Sequence, residues 1–130
     1  MIYELSVPSR QKCEFIDVTR QVAERVQESG VEEGICVVYV PHTTAGVTIN
    51  ENADPSVRRD ILAALDRAVP ENASYAHEEG NSPAHVKASL MGSSVTIAIS
   101  GGKLVLGTWQ GVFFAEFDGP RRRAVMVQIR

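Results

Sequence analysis

Residues 34–41 read GICVVYVP, a nearly unbroken run of apolar, largely β-branched side chains ending at a proline. The run is long enough for one strand and shows no polar alternation, so it predicts a central strand buried on both faces. A strand of that kind needs neighbours on either side. The rest of the chain supplies them. Residues 2–7 (IYELSV) and 12–17 (KCEFID) read as two short strands around a Pro8-Ser9-Arg10 turn. The last third is all strand: 94–100, a Gly101-Gly102-Lys103 turn, 104–106, 109–118, a Gly119-Pro120 turn, and 122–130. In the final strand Val125, Val127 and Ile129 share one face, and Ala124, Met126, Gln128 and Arg130 the other.

Helices interrupt this pattern. Over residues 18–29, Val18, Val22 and Val26 recur every four residues with Ala23 beside them, one apolar stripe of a helix. Asp17 is placed to cap its start and Gly30 to end it. Asp54-Pro55 opens a second helix, with the acid as N-cap and proline in the first turn. Val57, Ile61, Leu65 and Ala68 are expected to face inward, and Pro70 ends the helix. Pro83 can open a short third helix to about Met91. Val47-Thr48-Ile49 makes a short strand between. Two main helices among about eight strands predict one α+β domain over residues 1–130, built on a mostly antiparallel sheet. The 130-residue length fits a single core.

Charge and composition remove several functions. The net charge of −3 lacks the broad basic footprint of sequence-independent nucleic-acid binding. No apolar stretch reaches the ~18 residues of a membrane span. The N-terminal residues have neither the charged nor the apolar region of a signal peptide, so a cytoplasmic protein is expected. Cys13 and Cys36 have no C-x-x-C spacing and read as reduced core residues. Arg121, Arg122 and Arg123 straddle a hairpin turn and read as solvated edge charges.

The chemistry gathers around three histidines. His42 follows the apolar strand in P-H-T-T-A-G, and His77 and His85 bracket H-E-E-G-N-S-P-A-H. All three lie beside small, polar or glycine residues rather than in apolar faces. Imidazole is the commonest metal ligand, and three around an open position form a catalytic-zinc arrangement. The expectation is therefore that His42, His77 and His85 hold one divalent metal, zinc before magnesium or calcium. Unrelated surface or core histidines are the plainer alternative, because the spacing does not impose the geometry as an H-E-x-x-H helix does. Glu79 could carry a proton or orient a ligand histidine, and otherwise is a solvated loop residue. Asn50 and Glu51 could bind a polar substrate or act as base, and Asn81 lies in the loop with Glu79. Thr43, Thr44, Ser94 and Lys103, with Arg121, are the groups that could hold a phosphate, although no Walker loop is present. Trp109 lines a pocket or interface, or serves the core or its rim.

Three long segments then resemble a known family. They are P-H-T-T-A-G-V-T-I-N-E-N-A-D-P, H-E-E-G-N-S-P-A-H-V-K-A-S-L-M-G-S-S and G-K-L-V-L-G-T-W-Q-G-V-F-F-A-E-F-D-G-P-R-R-R. In this order they resemble the YjbQ-like family over essentially the whole chain. The resemblance implies a small α+β protein assembled as a homotrimer, with the motif histidines in a cleft that takes a metal ion or an anion. The positions are His42, His77 and His85, with N-E-N at Asn50 to Asn52, E-G-N at Glu79 to Asn81, G-x-W-Q at Gly107 to Gln110, and Asp118 with the arginines after it. The family's label implies thiamine-phosphate synthase activity, which joins a pyrimidine-methyl diphosphate to a thiazole phosphate and releases diphosphate. Lys103, Arg121, Arg122 and a bound metal could offset the charge of that leaving group. The expected function is a metal-assisted enzyme acting on a small phosphorylated or heteroaromatic metabolite. A non-catalytic, trimeric metal- or anion-binding module is the alternative.

Overall fold

The computed structural model describes residues 1–130. In chain order the elements are β1 (Ile2–Pro8), β2 (Glu14–Asp17), α1 (Thr19–Ser29), β3 (Glu33–Tyr39), β4 (Ala45–Glu51), α2 (Pro55–Ala68), α3 (Ser82–Met91), β5 (Ser94–Ser100), β6 (Lys103–Leu104), β7 (Gln110–Glu116) and β8 (Arg122–Ile129). Two antiparallel sheets result, one of five strands in the order β1-β8-β3-β5-β6 and one of three in the order β2-β7-β4. This is the α+β, antiparallel architecture expected, with the short third helix present. No helix is long and apolar enough to cross a membrane.

Local chemistry accounts for the helix ends. Asp54 accepts hydrogen bonds from the Ser56 amide at 2.9 Å and the Ser56 hydroxyl at 2.7 Å, which caps α2. Asp17 likewise accepts from the Thr19 amide at 2.9 Å, acting one position earlier than the formal N-cap, Val18. Gly30 ends α1 at φ 70°, a left-handed conformation that glycine adopts without Cβ strain. Val18, Val22 and Val26 on the apolar stripe are buried against Cys36, Val38, Val125, Val127, Ile129, Ile97 and Phe114, so α1 closes the core between the sheets.

The strand buried on both faces is β7, not β3. Val112 and Phe114 point into the main core, while Ala115 and then Phe117 enter a smaller cluster with Ala84 and Ala88 of α3. Phe113, on that same second face, lies beneath the Arg58 guanidinium of α2 at 5.3 Å. In β3 only Cys36 and Val38 are fully buried; Ile35 and Tyr39 are 45% and 46% exposed. The physical reason is where the helices went. They pack between the sheets or behind the three-stranded sheet, and the outer face of the five-stranded sheet has no cover within the chain.

The second helix sits more lightly than its sequence pattern suggests. Val57, Ile61 and Leu65 are only half-buried, and Ala68 is exposed. Leu62 and Leu65 touch the smaller cluster, and Asp66 accepts from the buried Lys87 ammonium of α3 at 2.6 Å. Both cysteines are unpaired, Cys36 in the core and Cys13 half-buried before β2.

At one corner the sheets are joined by a buried ion pair. Glu116 at the end of β7 and Arg123 at the start of β8 are almost wholly excluded from solvent. The Arg123 Nε donates to Glu116 Oε1 at 2.9 Å, Ser9 donates its hydroxyl to the same oxygen at 2.6 Å, and the amides of Phe117 and Asp118 reach Oε2 at 3.1 Å. Arg123 also donates to the Thr44 hydroxyl at 2.8 Å. Burial pushes the Glu116 carboxyl up, but the bonds from Arg123 and Ser9 outweigh it and hold the group below its ordinary value of 4.5. Such a carboxylate stabilises the fold above the ordinary value, and the contribution is lost as pH falls through the lower folded value. Glu116→Ala should cost about 3–5 kcal/mol by leaving Arg123 buried without its partner. Urea unfolding of the two proteins across the acid range checks this: the wild type should lose stability on acidification more steeply than the variant.

Candidate functional site

The site forms where β3 and β8 part. Their last pair is Tyr39 with Met126. Beyond it the chain turns towards the start of β5, with the Val40 amide donating to the Ser93 carbonyl at 2.8 Å. Pro41 has no amide to offer. Ala124, two residues back along β8, donates its amide at 3.0 Å to Nε2 of the His42 ring. An imidazole thus takes an amide that the departing backbone leaves free. Burial, and next the charge of Arg123, lower the His42 pKa from 6.5, so the ring is neutral at pH 7.

His77 and His85 come from the other side. His77 lies in the polar loop before α3, with Nε2 3.8 Å from Glu79 Oε2. His85 stands in the first turn of α3, and its ring meets that of His77 edge-on, with centroids 5.3 Å apart. Asn81, at the helix entrance, donates from Nδ2 to Asp118 Oδ2 at 2.9 Å. Asp118 also holds Arg121, accepting from Nη2 at 3.0 Å through the side chain and from Nε at 2.9 Å through the backbone carbonyl. The other side-chain atom of Asn81, Oδ1, is buried and has no partner. A buried acceptor left unpaired is costly, and it marks a position where a ligand donor would be welcome.

Together these groups line a cleft of about 440 Å³ whose walls are polar or charged side chains and Pro41. The three histidines, Glu79, Asn81, Thr43, Thr44 and Arg121 are all present there. A second hollow shares His42, Thr43 and His85 and continues to Ser89 and Ser93. The closeness of α3 to β4 depends on Gly46, since a Cβ there would lie 2.6 Å from the Gly92 carbonyl oxygen. That packing brings His85 opposite His42.

Several expected members are elsewhere. Lys103 belongs to a separate cavity of about 540 Å³ beside the C-terminal end of α1, with no histidine in its lining. Asn50 and Glu51 pair with Gly111 and Gln110 at the far end of β4, roughly 20 Å along the strand from its histidine end. Ser94 pairs with Tyr39 on the outer face of the sheet, and its neighbour Ser93 lines the hollow instead. Thr44 is buried and its hydroxyl accepts from Arg123, so of the two threonines only Thr43 is exposed in the cleft. Trp109 is 62% exposed at a turn, outside the core. The arginine run divides: Arg122 is exposed and Arg121 faces the cleft, but Arg123 is buried rather than a solvated edge charge. The signal was available, because Arg123 shares the inward alternation of Val125, Val127 and Ile129. Asp118, which holds both Asn81 and Arg121, is marked in the sequence only through the family resemblance.

The donor set does not fit a three-histidine metal site. A neutral imidazole that accepts a hydrogen bond at Nε2 carries its proton on Nδ1 and has no second lone pair to give. His42 is in that state, and no group of three histidine, cysteine or carboxylate side chains is arranged to hold a metal ion.

Comparison with known proteins agrees with this fold. The model of the family described as "UPF0047 protein YjbQ-like" matches residues 3–130. A UPF0047 protein of Methanocaldococcus jannaschii is 54% identical over 129 residues, covering 99% of this chain and 94% of its own. The YugU protein of Bacillus subtilis is 45% identical, covering 99% and 98%. A crystal structure of an uncharacterised conserved protein of this family from Clostridium acetobutylicum superposes with a TM-score of 0.97 at 58% identity, covering 98% of this chain and 99% of that one. A YbjQ-like protein of unknown function from Sulfolobus solfataricus gives 0.96 at 34% identity, with 99% and 95% covered. The chain belongs to the YjbQ-like UPF0047 family.

Proposed function

We propose that the protein is an enzyme acting on a small phosphorylated metabolite bound in the histidine cleft. The observation that carries this reading is the composition of the cleft: three imidazoles, an anchored guanidinium and an unpaired amide oxygen meet in one polar cavity. Arg121 is held along one edge by Asp118, which orients it and leaves other N–H groups for an anion. Thr43 adds a hydroxyl. His77 beside Glu79, and His85 against His77, are the groups suited to move a proton at a bound substrate.

The coupling implied by the family's label suits these groups. A thiazole ring nitrogen forms a bond to the methylene carbon of the pyrimidine, the bond from that carbon to the diphosphate oxygen breaks, and diphosphate leaves with the electron pair. Arg121 is the cation available to offset its charge, with the rings of His77 and His85 beside it in the cleft. The first assay is therefore this coupling reaction, followed by hydrolysis of phosphate monoesters.

Assembly belongs to the same proposal. The outer face of the five-stranded sheet presents Ile2, Val37, Tyr39 and Met126 around an apolar hollow of about 320 Å³. An apolar sheet face of this kind suits a subunit interface, and we assign the homotrimer contact to it. Two unpaired cysteines accord with a cytoplasmic setting.

Three outcomes follow. Asp118→Ala releases Arg121 and Asn81 together and should weaken binding of inorganic phosphate about tenfold, the scale of one charge-assisted hydrogen bond. Calorimetric titration measures it, and the variant should lose about 1–3 kcal/mol of folding stability, because Asp118 is only 19% exposed and its removal also leaves the Asn81 amide without its acceptor. His85→Ala should lower kcat by about 10²–10⁴ with substrate binding retained; turnover left intact would favour the non-catalytic binding module. Light scattering should find three chains per particle, and Tyr39→Asp should release monomers; a monomeric wild type at micromolar concentration would remove the assembly.

A further inference from the structure

We infer that His42 serves as a fixed N–H donor to a phosphate oxygen in the cleft, and not as a metal ligand. This rests on the phosphorylated-metabolite reading above and deepens it by giving one histidine a defined role. The argument is hydrogen-bond accounting at a single ring. The Ala124 amide has one proton to donate and the ring accepts it at Nε2, 3.0 Å away. The ring must therefore keep a lone pair on Nε2, which leaves its proton on Nδ1.

The backbone holds this arrangement in place. Ala124 lies in β8, paired with Ser6 of β1 on one side. Its neighbour Arg123 is locked to Glu116 and to Thr44, two residues beyond His42. Both ends of the Ala124–His42 bond are thus tied to one buried network, so ring and amide keep their register. Nδ1 has no partner within the protein and is not among the buried unpaired atoms, and the ring lines the cleft that also holds Thr43 and Arg121. A fixed, neutral N–H beside a guanidinium and a hydroxyl is a set of donors, and the carboxylate of the cleft, Glu79, lies beside His77 instead. An oxyanion supplies that acceptor. The unpaired Asn81 Oδ1 on the same cleft has the opposite need and takes a donor, which a phosphate oxygen bearing a proton or a substrate hydroxyl provides. The ligand class is therefore a phosphate monoester or diphosphate with a hydrogen-bond donor within reach of Asn81.

The tautomer can be read directly by heteronuclear NMR of full-length protein labelled at the histidine ring nitrogens. The expected spectrum shows His42 with a protonated Nδ1 and a bare Nε2. Inorganic phosphate should shift the His42 Nδ1 resonance, and zinc should leave it in place. His42→Ala should weaken phosphate binding about tenfold, whereas His42→Asn, whose amide N–H sits near the Nδ1 position, should stay within about threefold of wild type. A proton on Nε2, or zinc coordination at His42, overturns the inference. Phosphate that perturbs Arg121 and Thr43 but not His42 overturns the donor role while leaving the phosphorylated-metabolite reading standing. No phosphate response at any cleft residue removes that reading, and the donor role with it.

Discussion

The Glu116–Arg123 pair is the constraint on which the site depends. Two charges this deeply buried are costly to desolvate, and the cost is offset only because nearly every donor and acceptor is used. Glu116 receives Arg123, Ser9 and two backbone amides; Arg123 also reaches Thr44. Each partner comes from a different piece of chain: the end of β1, the end of β7, the start of β8 and the loop before β4. The pair therefore acts as a geometric clamp more than as a source of net stability. Asp118 follows Glu116 by two residues and His42 precedes Thr44 by two. Both cleft groups are short extensions from the clamp, so their positions carry little freedom.

The sheets were legible from alternation, and the errors have a common origin. Alternation tells which residues share a face but not what covers that face. The apolar run at 34–41 reads as buried on both sides, yet Ile35 and Tyr39 are open because no helix of the chain crosses over them. The segment 109–118 reads as one more strand with nothing said of its two faces, yet β7 is enclosed by the core on one side and by α2 and α3 on the other. For the site, proximity in sequence to turns and small residues picks out three histidines that line one cleft. It failed for Asn50, Glu51 and Lys103, because a seven-residue strand carries its two ends far apart and nothing in the residues says which end matters. Ser94 failed by parity alone: one residue earlier, Ser93 faces the hollow. Asp118 and Arg123 act through tertiary partners far away in the chain, Asn81 and Thr44 among them, and such pairings leave no mark in spacing.

The cleft lies where the five-stranded sheet forks, and the fork explains why polar groups collect there. Inside a continuous ladder each strand amide and carbonyl is consumed by its neighbour. Where β3 leaves β8, amides are freed, and the chain must supply acceptors or leave them to water. His42 supplies one. The irregular loop from 69 to 81 and the entrance to α3 bring His77, Asn81 and His85 to the same opening. A site built at such a fork borrows rigidity from two strands and openness from their separation.

The balance of donors and acceptors at the opening then limits what can bind. Three groups offer protons to a ligand: Arg121 beyond its Asp118 contacts, the Thr43 hydroxyl, and the ring of His42. One buried group, Asn81 Oδ1, asks for a proton. Glu79 lies beside His77 and offers a carboxylate at the rim. A bare divalent cation would satisfy Asn81 and Glu79 but would face Arg121 and a ring whose available nitrogen carries hydrogen. A fully ionised anion would satisfy Arg121, Thr43 and His42 and leave Asn81 unpaired. A neutral apolar ligand would satisfy none. The ligand proposed above, anionic and carrying one donor as a protonated phosphate or a phosphorylated molecule with a hydroxyl or amino group does, meets both needs at once. In the proposed reading the two remaining imidazoles, His77 and His85, stand next to that ligand as the groups suited to proton transfer.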